Sequence, residues 1–192
     1  MAEFTIEARS FDLDIPAIGR SIRHDFWVLR DSTGKAIAEL NGLATDRKTL
    51  QYVRIGDDDK KFSLRVWQFV HDSNYASLIV DGAADLKTDT MIQDGQDVQI
   101  VFRGSEADAF SRWNAAVSQK STLNALDLDY PAYGFRIPFS RTVNSNSTYK
   151  TLGEYMGVPV HDFPAALEVG LDRRMGSTKT DASSKIFCTV VC

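Results

Sequence analysis

The stretch HDFWVLRDSTGKAIAELNGL, residues 24–43, decides the fold. The turn-forming run Asp31-Ser32-Thr33-Gly34 separates two apolar-rich arms, His24–Arg30 and Lys35–Leu43, and this pattern reads as a β-hairpin. Side chains alternate along a strand, so His24, Phe26 and Val28 share one face of the first arm while Asp25, Trp27 and Leu29 share the other.

Strands continue on either side of the hairpin. Upstream, Phe4–Leu13 alternates loosely and ends at Asp14-Ile15-Pro16, a turn. Downstream, Asp46–Lys48 and Ile55–Lys61 read as loops. Phe62–Val70 is then a strong strand with Phe62, Leu64 and Val66 on one side and Arg65, Trp67 and Phe69 on the other. Tyr75–Val80 after the turn at Asp72-Ser73-Asn74, and Val98–Phe102, complete an antiparallel sheet in the N-terminal half.

The pattern changes at Gly104. Ser105-Glu106-Ala107-Asp108 is a helix-start box, and Phe110, Trp113 and Val117 recur at helical spacing, which predicts a long helix over 105–125. Pro131, Gly134 and Pro138 interrupt the aromatic stretch Tyr130, Tyr133, Phe135 and Phe139. A shorter helix runs from Tyr149 to Met156 and stops at Gly157-Val158-Pro159. The polar segment 170–185 has no usable period and is expected to be mobile; 186–192 is apolar and reads as an edge strand or a tail held by another chain. The expectation is one α+β domain over 1–192, its antiparallel sheet packed against the long helix and the shorter C-terminal one.

Composition narrows the function classes. A net charge of −4 and scattered basic residues offer no stripe for a phosphate backbone, which argues against nucleic acid. No apolar run reaches the roughly 18 residues of a membrane span, and Met1-Ala2-Glu3-Phe4-Thr5 lacks the features of a signal peptide, so synthesis is expected in the cytoplasm. Cys188 and Cys192 both fall in the last five residues and cannot staple the domain.

The candidate site is Asn144-Ser145-Asn146-Ser147, at the start of the second helix. Backbone N–H groups are unpaired there and serve either an ordinary cap or the stabilisation of an anion. A histidine in an early hairpin strand, then a sheet, then Asn-Ser-Asn at a helix start resembles the circularly permuted papain-like hydrolases, the NlpC/P60 and lecithin-retinol-acyltransferase-like group. Their motif is Asn-Cys-Asn, so this chain carries serine where the family has its thiol nucleophile. The resemblance implies acyl transfer or amide hydrolysis with Ser145 as nucleophile, His24 as general base and Glu39 or Asn41 orienting the histidine. Asn144, Asn146, Tyr133 and Trp27 would line the substrate, a peptide, peptidoglycan or a protein. Bacterial hydrolases of this type are often delivered as toxins, which implies export of an effector by a specialised secretion system. The competing reading is a non-catalytic interaction domain in which the polar run is only a cap. A third reading uses the pairs His24-Asp25, His71-Asp72 and His161-Asp162 for a metal, but their spacing matches no metal motif, and neither metal nor cofactor is expected.

Overall fold

The computed structural model describes residues 3–13, 22–75, 89–136, 142–163 and 169–176. Six strands form one antiparallel sheet: β1 (Phe4–Leu13), β2 (Ile22–Arg30), β3 (Ala36–Asp46), β4 (Tyr52–Val53), β5 (Phe62–Val70) and β6 (Asp97–Gly104). With its helices, the chain is an α+β domain, as its patterning predicts. The opening strand and Phe62–Val70 coincide with their predicted spans, although both are buried on two faces, because their polar positions are themselves covered in the fold. The turn at Asp14, the segment 76–80, Phe139 and the tail 186–192 lie outside the described residues.

β3 organises the sheet. One of its edges pairs with β5 along Ala38–Asp46; the other pairs with β2 at Ala36–Leu40 and with β4 at Ala44–Thr45. Asn41, Gly42 and Leu43 are therefore left without a strand on the β2 side. β2 pairs with β3 only from Trp27 to Arg30, so its first half has a free edge that faces the same gap.

The helices α1 (Glu106–Val117), α2 (Lys120–Asn124) and α3 (Ser145–Met156) cover one face of the sheet. The predicted single helix 105–125 is divided after Val117: the Ser118 hydroxyl bonds back to the Ala115 carbonyl (3.0 Å) and the Gln119 N–H to Ala116 (3.1 Å). A side chain competing for a carbonyl and a switch to the tighter i−3 bond both end a regular α-helix. Ser105 caps α1 as its box predicts, accepting from the Asp108 N–H at 3.1 Å.

Ile6, Ala8, Trp27, Leu29, Leu40, Leu64 and Val66 point to the helices and meet Phe110, Trp113, Tyr149, Leu152 and Met156. The opposite face buries Phe26, Val28, Leu43, Trp67 and Phe69 under Met91. Within the segment 170–185, only 170–176 is described; there Met175 is buried and its N–H bonds to the Thr151 hydroxyl at 2.9 Å, next to the buried Val169. A single buried apolar residue within the segment, Met175, cannot show as a period.

Trp27 fixes where α3 lies. Its ring stacks on Tyr149 with centroids 4.2 Å apart, and its indole N–H donates to the Tyr149 carbonyl at 2.8 Å. Gly153 makes this approach possible, since a Cβ there would stand 2.6 Å from Trp27 Cζ2 and 3.0 Å from Val160 Cγ2. At an exposed helix site Gly→Ala stabilises by about 1 kcal/mol; here the added methyl overpacks a rigid ring, so Gly153→Ala is expected to destabilise by about 1–3 kcal/mol. Urea denaturation of the variant checks the sign.

Candidate functional site

α3 begins inside the gap between β2 and β3. Asn144 is its N-cap: Oδ1 accepts from the N–H of Asn146 (3.0 Å) and of Ser147 (3.4 Å), while the Ser147 hydroxyl accepts from the Asn144 N–H (3.2 Å). The Asn144 amide donates to the carbonyls of Gly134 (2.6 Å) and Val169 (2.8 Å), and the Ser147 hydroxyl donates to Gly170 (2.7 Å). This side-chain set fastens two loops to the helix start.

Asn146 does the same for the sheet. Its Oδ1 accepts from the Asp25 N–H (3.1 Å) and its Nδ2 donates to the Arg23 carbonyl (3.0 Å). A side-chain amide here takes the place of a peptide group in a neighbouring strand. It closes the stretch of β2 that β3 leaves free. Asn124 repeats the device at β5, accepting from the Val66 N–H (2.7 Å) and donating to the Val66 carbonyl (3.2 Å).

Ser145 is the first helical residue and is 2% exposed. Its hydroxyl donates to Asn146 Oδ1 at a long 3.4 Å and bonds to the Tyr130 hydroxyl, itself buried and pushed up to about 12 by that burial. His24 does not join it. β2 turns Asp25 and Trp27 toward α3 and turns His24 with Phe26 to the other face, where the imidazole lies 5.2 Å from Phe11 and 5.9 Å from Phe26, centroid to centroid. The sheet separates the predicted nucleophile from the predicted base, so the Ser145–His24 pair is not assembled.

The remaining predicted positions divide between the two faces. His24 Nε2 meets Asn41 Oδ1 at 3.2 Å, and Asn41 Nδ2 donates to Glu39 Oε2 at 3.4 Å, so Asn41 touches the histidine and Glu39 reaches it only through Asn41. Glu39 Oε1 continues to His71 Nε2 at 2.7 Å and takes the Thr90 hydroxyl, and Glu39 Oε2 takes the Met91 N–H at 2.9 Å. This buried relay ties residues 90 and 91 across the sheet. The sequence offered His71 only as a metal candidate beside Asp72 and did not point to Thr90, because both reach Glu39 from other parts of the chain. Trp27 is core, not a substrate contact; Asn144 and Asn146 are engaged with backbone; Tyr133 is 51% exposed on a turn whose N–H bonds to Gly56. The side-chain amides of Asn144 and Asn146 are thus already engaged beside Ser145. Among the described residues no three of His, Cys, Asp and Glu are placed to hold a metal.

Adjacent residues on β2 titrate in opposite senses. Burial lowers His24 from 6.5 to about 4, against the opposing pull of Asn41 and Glu39. Burial raises Asp25 from 3.8 to about 7, with the Ser10 hydroxyl and Arg23 opposing and Asp162 adding to the rise. Neither Asp25 oxygen has a well-formed hydrogen bond; Ser10, its partner across the β1–β2 pair, lies beside it without good alignment. Between the two values both residues are neutral, which is how each tolerates full burial.

Two expectations follow from this geometry. Asn146→Ala strands a buried N–H and a partly buried carbonyl and should cost about 2–3 kcal/mol, whereas Ser145→Ala removes weaker bonds and should cost about 1 kcal/mol or less; urea midpoints compare them. For pH, the unfolded chain binds the His24 proton below 6.5 while the folded chain refuses it until about 4, so this group removes stability as pH falls through that window. Asp25 keeps a proton that the unfolded chain releases above 3.8, so it removes stability as pH rises to about 7. Asp25→Asn should therefore gain on the wild type progressively from pH 4 to 7, by up to roughly 4 kcal/mol. Denaturation of both proteins at several pH values checks it; a difference independent of pH contradicts it. Compared with protein-family models, curated proteins and solved structures, the chain matches none.

Proposed function

We propose that this chain is a non-catalytic interaction domain that receives an extended peptide along the outer edge of β6, rather than a hydrolase working through Ser145 and His24. One observation carries the reading. β6 pairs with β1 on one side only, and on its other side no strand of the described residues follows. An open edge is a row of N–H and C=O groups ready to pair with another chain.

The contrast with the rest of the sheet supports it. Apart from the two-residue β4, the other outer strand is β5, and it is closed along much of its length: Leu64 donates to Leu128, Val66 pairs with Asn124, and Phe62 accepts from Tyr130. The gap in β2 is closed by Asn146. At β6 no such side chain or loop from elsewhere reaches the backbone among the described residues. The polar helix start, for its part, is engaged in holding loops and sheet together, which is the cap reading of Asn144–Ser147.

The test is amide hydrogen exchange of the protein with and without a short, uncharged, strand-forming peptide. Protection gained over Asp97–Gly104 is the expected result. Hydrolysis of a peptide or acyl substrate that disappears in a folded Ser145→Ala variant would overturn the reading.

A further inference from the structure

The side chains along β6 specify the kind of peptide its edge takes; this inference rests on the reading just given. In the β1–β6 register Val98 stands opposite Arg9, Ile100 opposite Glu7 and Arg103 opposite Thr5. Those β1 residues in turn face Phe26, Val28 and Arg30 of β2, so Val98, Ile100 and Arg103 all lie on the sheet face away from the helices. The bulge between Ile100 and Phe102 sets this spacing, and it turns Phe102 to the helical face under the Arg112 guanidinium, 4.8 Å from the ring.

The three side chains differ in what they lack. Val98 is 44% exposed and Ile100 is half-buried, so this end of the edge is apolar and wet. Arg103 is exposed and has no acidic partner among the described residues. Nearby cations are not in that position: Arg9 and Arg30 both hold Glu7, at 3.0 and 2.8 Å, and Arg23 holds Asp12 and Asp97, at 3.1 and 2.6 Å. Arg103 also stands on the wall of a depression of about 390 Å³ that reaches Thr5, Glu7, Arg30 and Ser32. An incoming strand would set its same-face side chains directly beside Val98, Ile100 and Arg103.

We propose that β6 takes an extended peptide with two apolar residues at alternate positions and an acidic residue next along the same face, the apolar pair beside Val98 and Ile100 and the carboxylate on Arg103. Cross-strand apolar pairs and one exposed ion pair supply the selectivity, and main-chain hydrogen bonds supply most of the affinity.

Three acetylated, amidated octapeptides of alternating threonine and valine test this, one valine near the end being replaced by glutamate, glutamine or lysine, each made in both sequence directions. Affinity is measured by titration and the site by amide exchange. Binding should order glutamate above glutamine above lysine, with about threefold or more between the first and last, and Arg103→Glu should invert that order. Protection of Asp97–Gly104 with equal affinities, or an order unchanged in Arg103→Glu, overturns this inference and leaves the interaction reading standing. No protection of Asp97–Gly104 by any of the peptides overturns both.

Discussion

Two hydrogen bonds from the Asn146 side chain to the backbone of β2 are the constraint on which the arrangement rests. β3 is too long for a single partner on this side: it pairs with β2 at one end and with β4 at the other, leaving a gap in the middle. A gap in a sheet exposes peptide groups that must be paired if buried. The first turn of α3 fills it, with Asn146 acting as a short piece of strand and Gly42 letting Thr148 approach where a Cβ would stand 2.4 Å from Thr148 Cβ. Once the helix start is held there, Trp27 and Tyr149 stack, Asn144 and Ser147 collect the loops at Gly134, Val169 and Gly170, and the helical layer has one orientation.

The same geometry sorts the polar chemistry by face. Ser145, Tyr130 and Asp25 belong to the helical side, while His24, Asn41, Glu39 and His71 form a relay on the other side that holds residues 90 and 91 over the second apolar layer. His24 and Asp25 are neighbours in the chain yet belong to different environments, and both are kept neutral by burial. A buried histidine and a buried carboxyl of opposite linkage sign give the domain a flatter pH response between 4 and 6.5 than either would alone. The polar groups on both sides serve the fold, and recognition along the open edge of β6 is what we propose for this domain.

Local signals were legible where the physics is local. Alternation located Phe4–Leu13 and Phe62–Val70, the Asp31–Gly34 run located the hairpin, Ser105 located a helix start, and Gly157 located a helix end. The parity that separates His24 from Trp27 was also in the sequence. What the sequence could not supply was the face on which α3 packs, because that depends on Gly153, Trp27 and Asn146 meeting across more than a hundred residues. The contacts of residues 169–176 with α3 were not legible for a related reason: Asn144 holds Val169, Ser147 holds Gly170 and Thr151 holds Met175, with no period in the segment itself. The split after Val117 turned on a single serine bonding back to a carbonyl.

The most direct test of this account is the exchange rate of the Asp25 backbone amide, read residue by residue by NMR. If Asn146 substitutes for a missing strand, the Asp25 N–H exchanges as slowly as the paired amides of β2 in the wild type and becomes fast in Asn146→Ala under conditions where the rest of β2 stays protected. An Asp25 amide that exchanges as an open edge does in the wild type, or that is unaffected by Asn146→Ala, would contradict it.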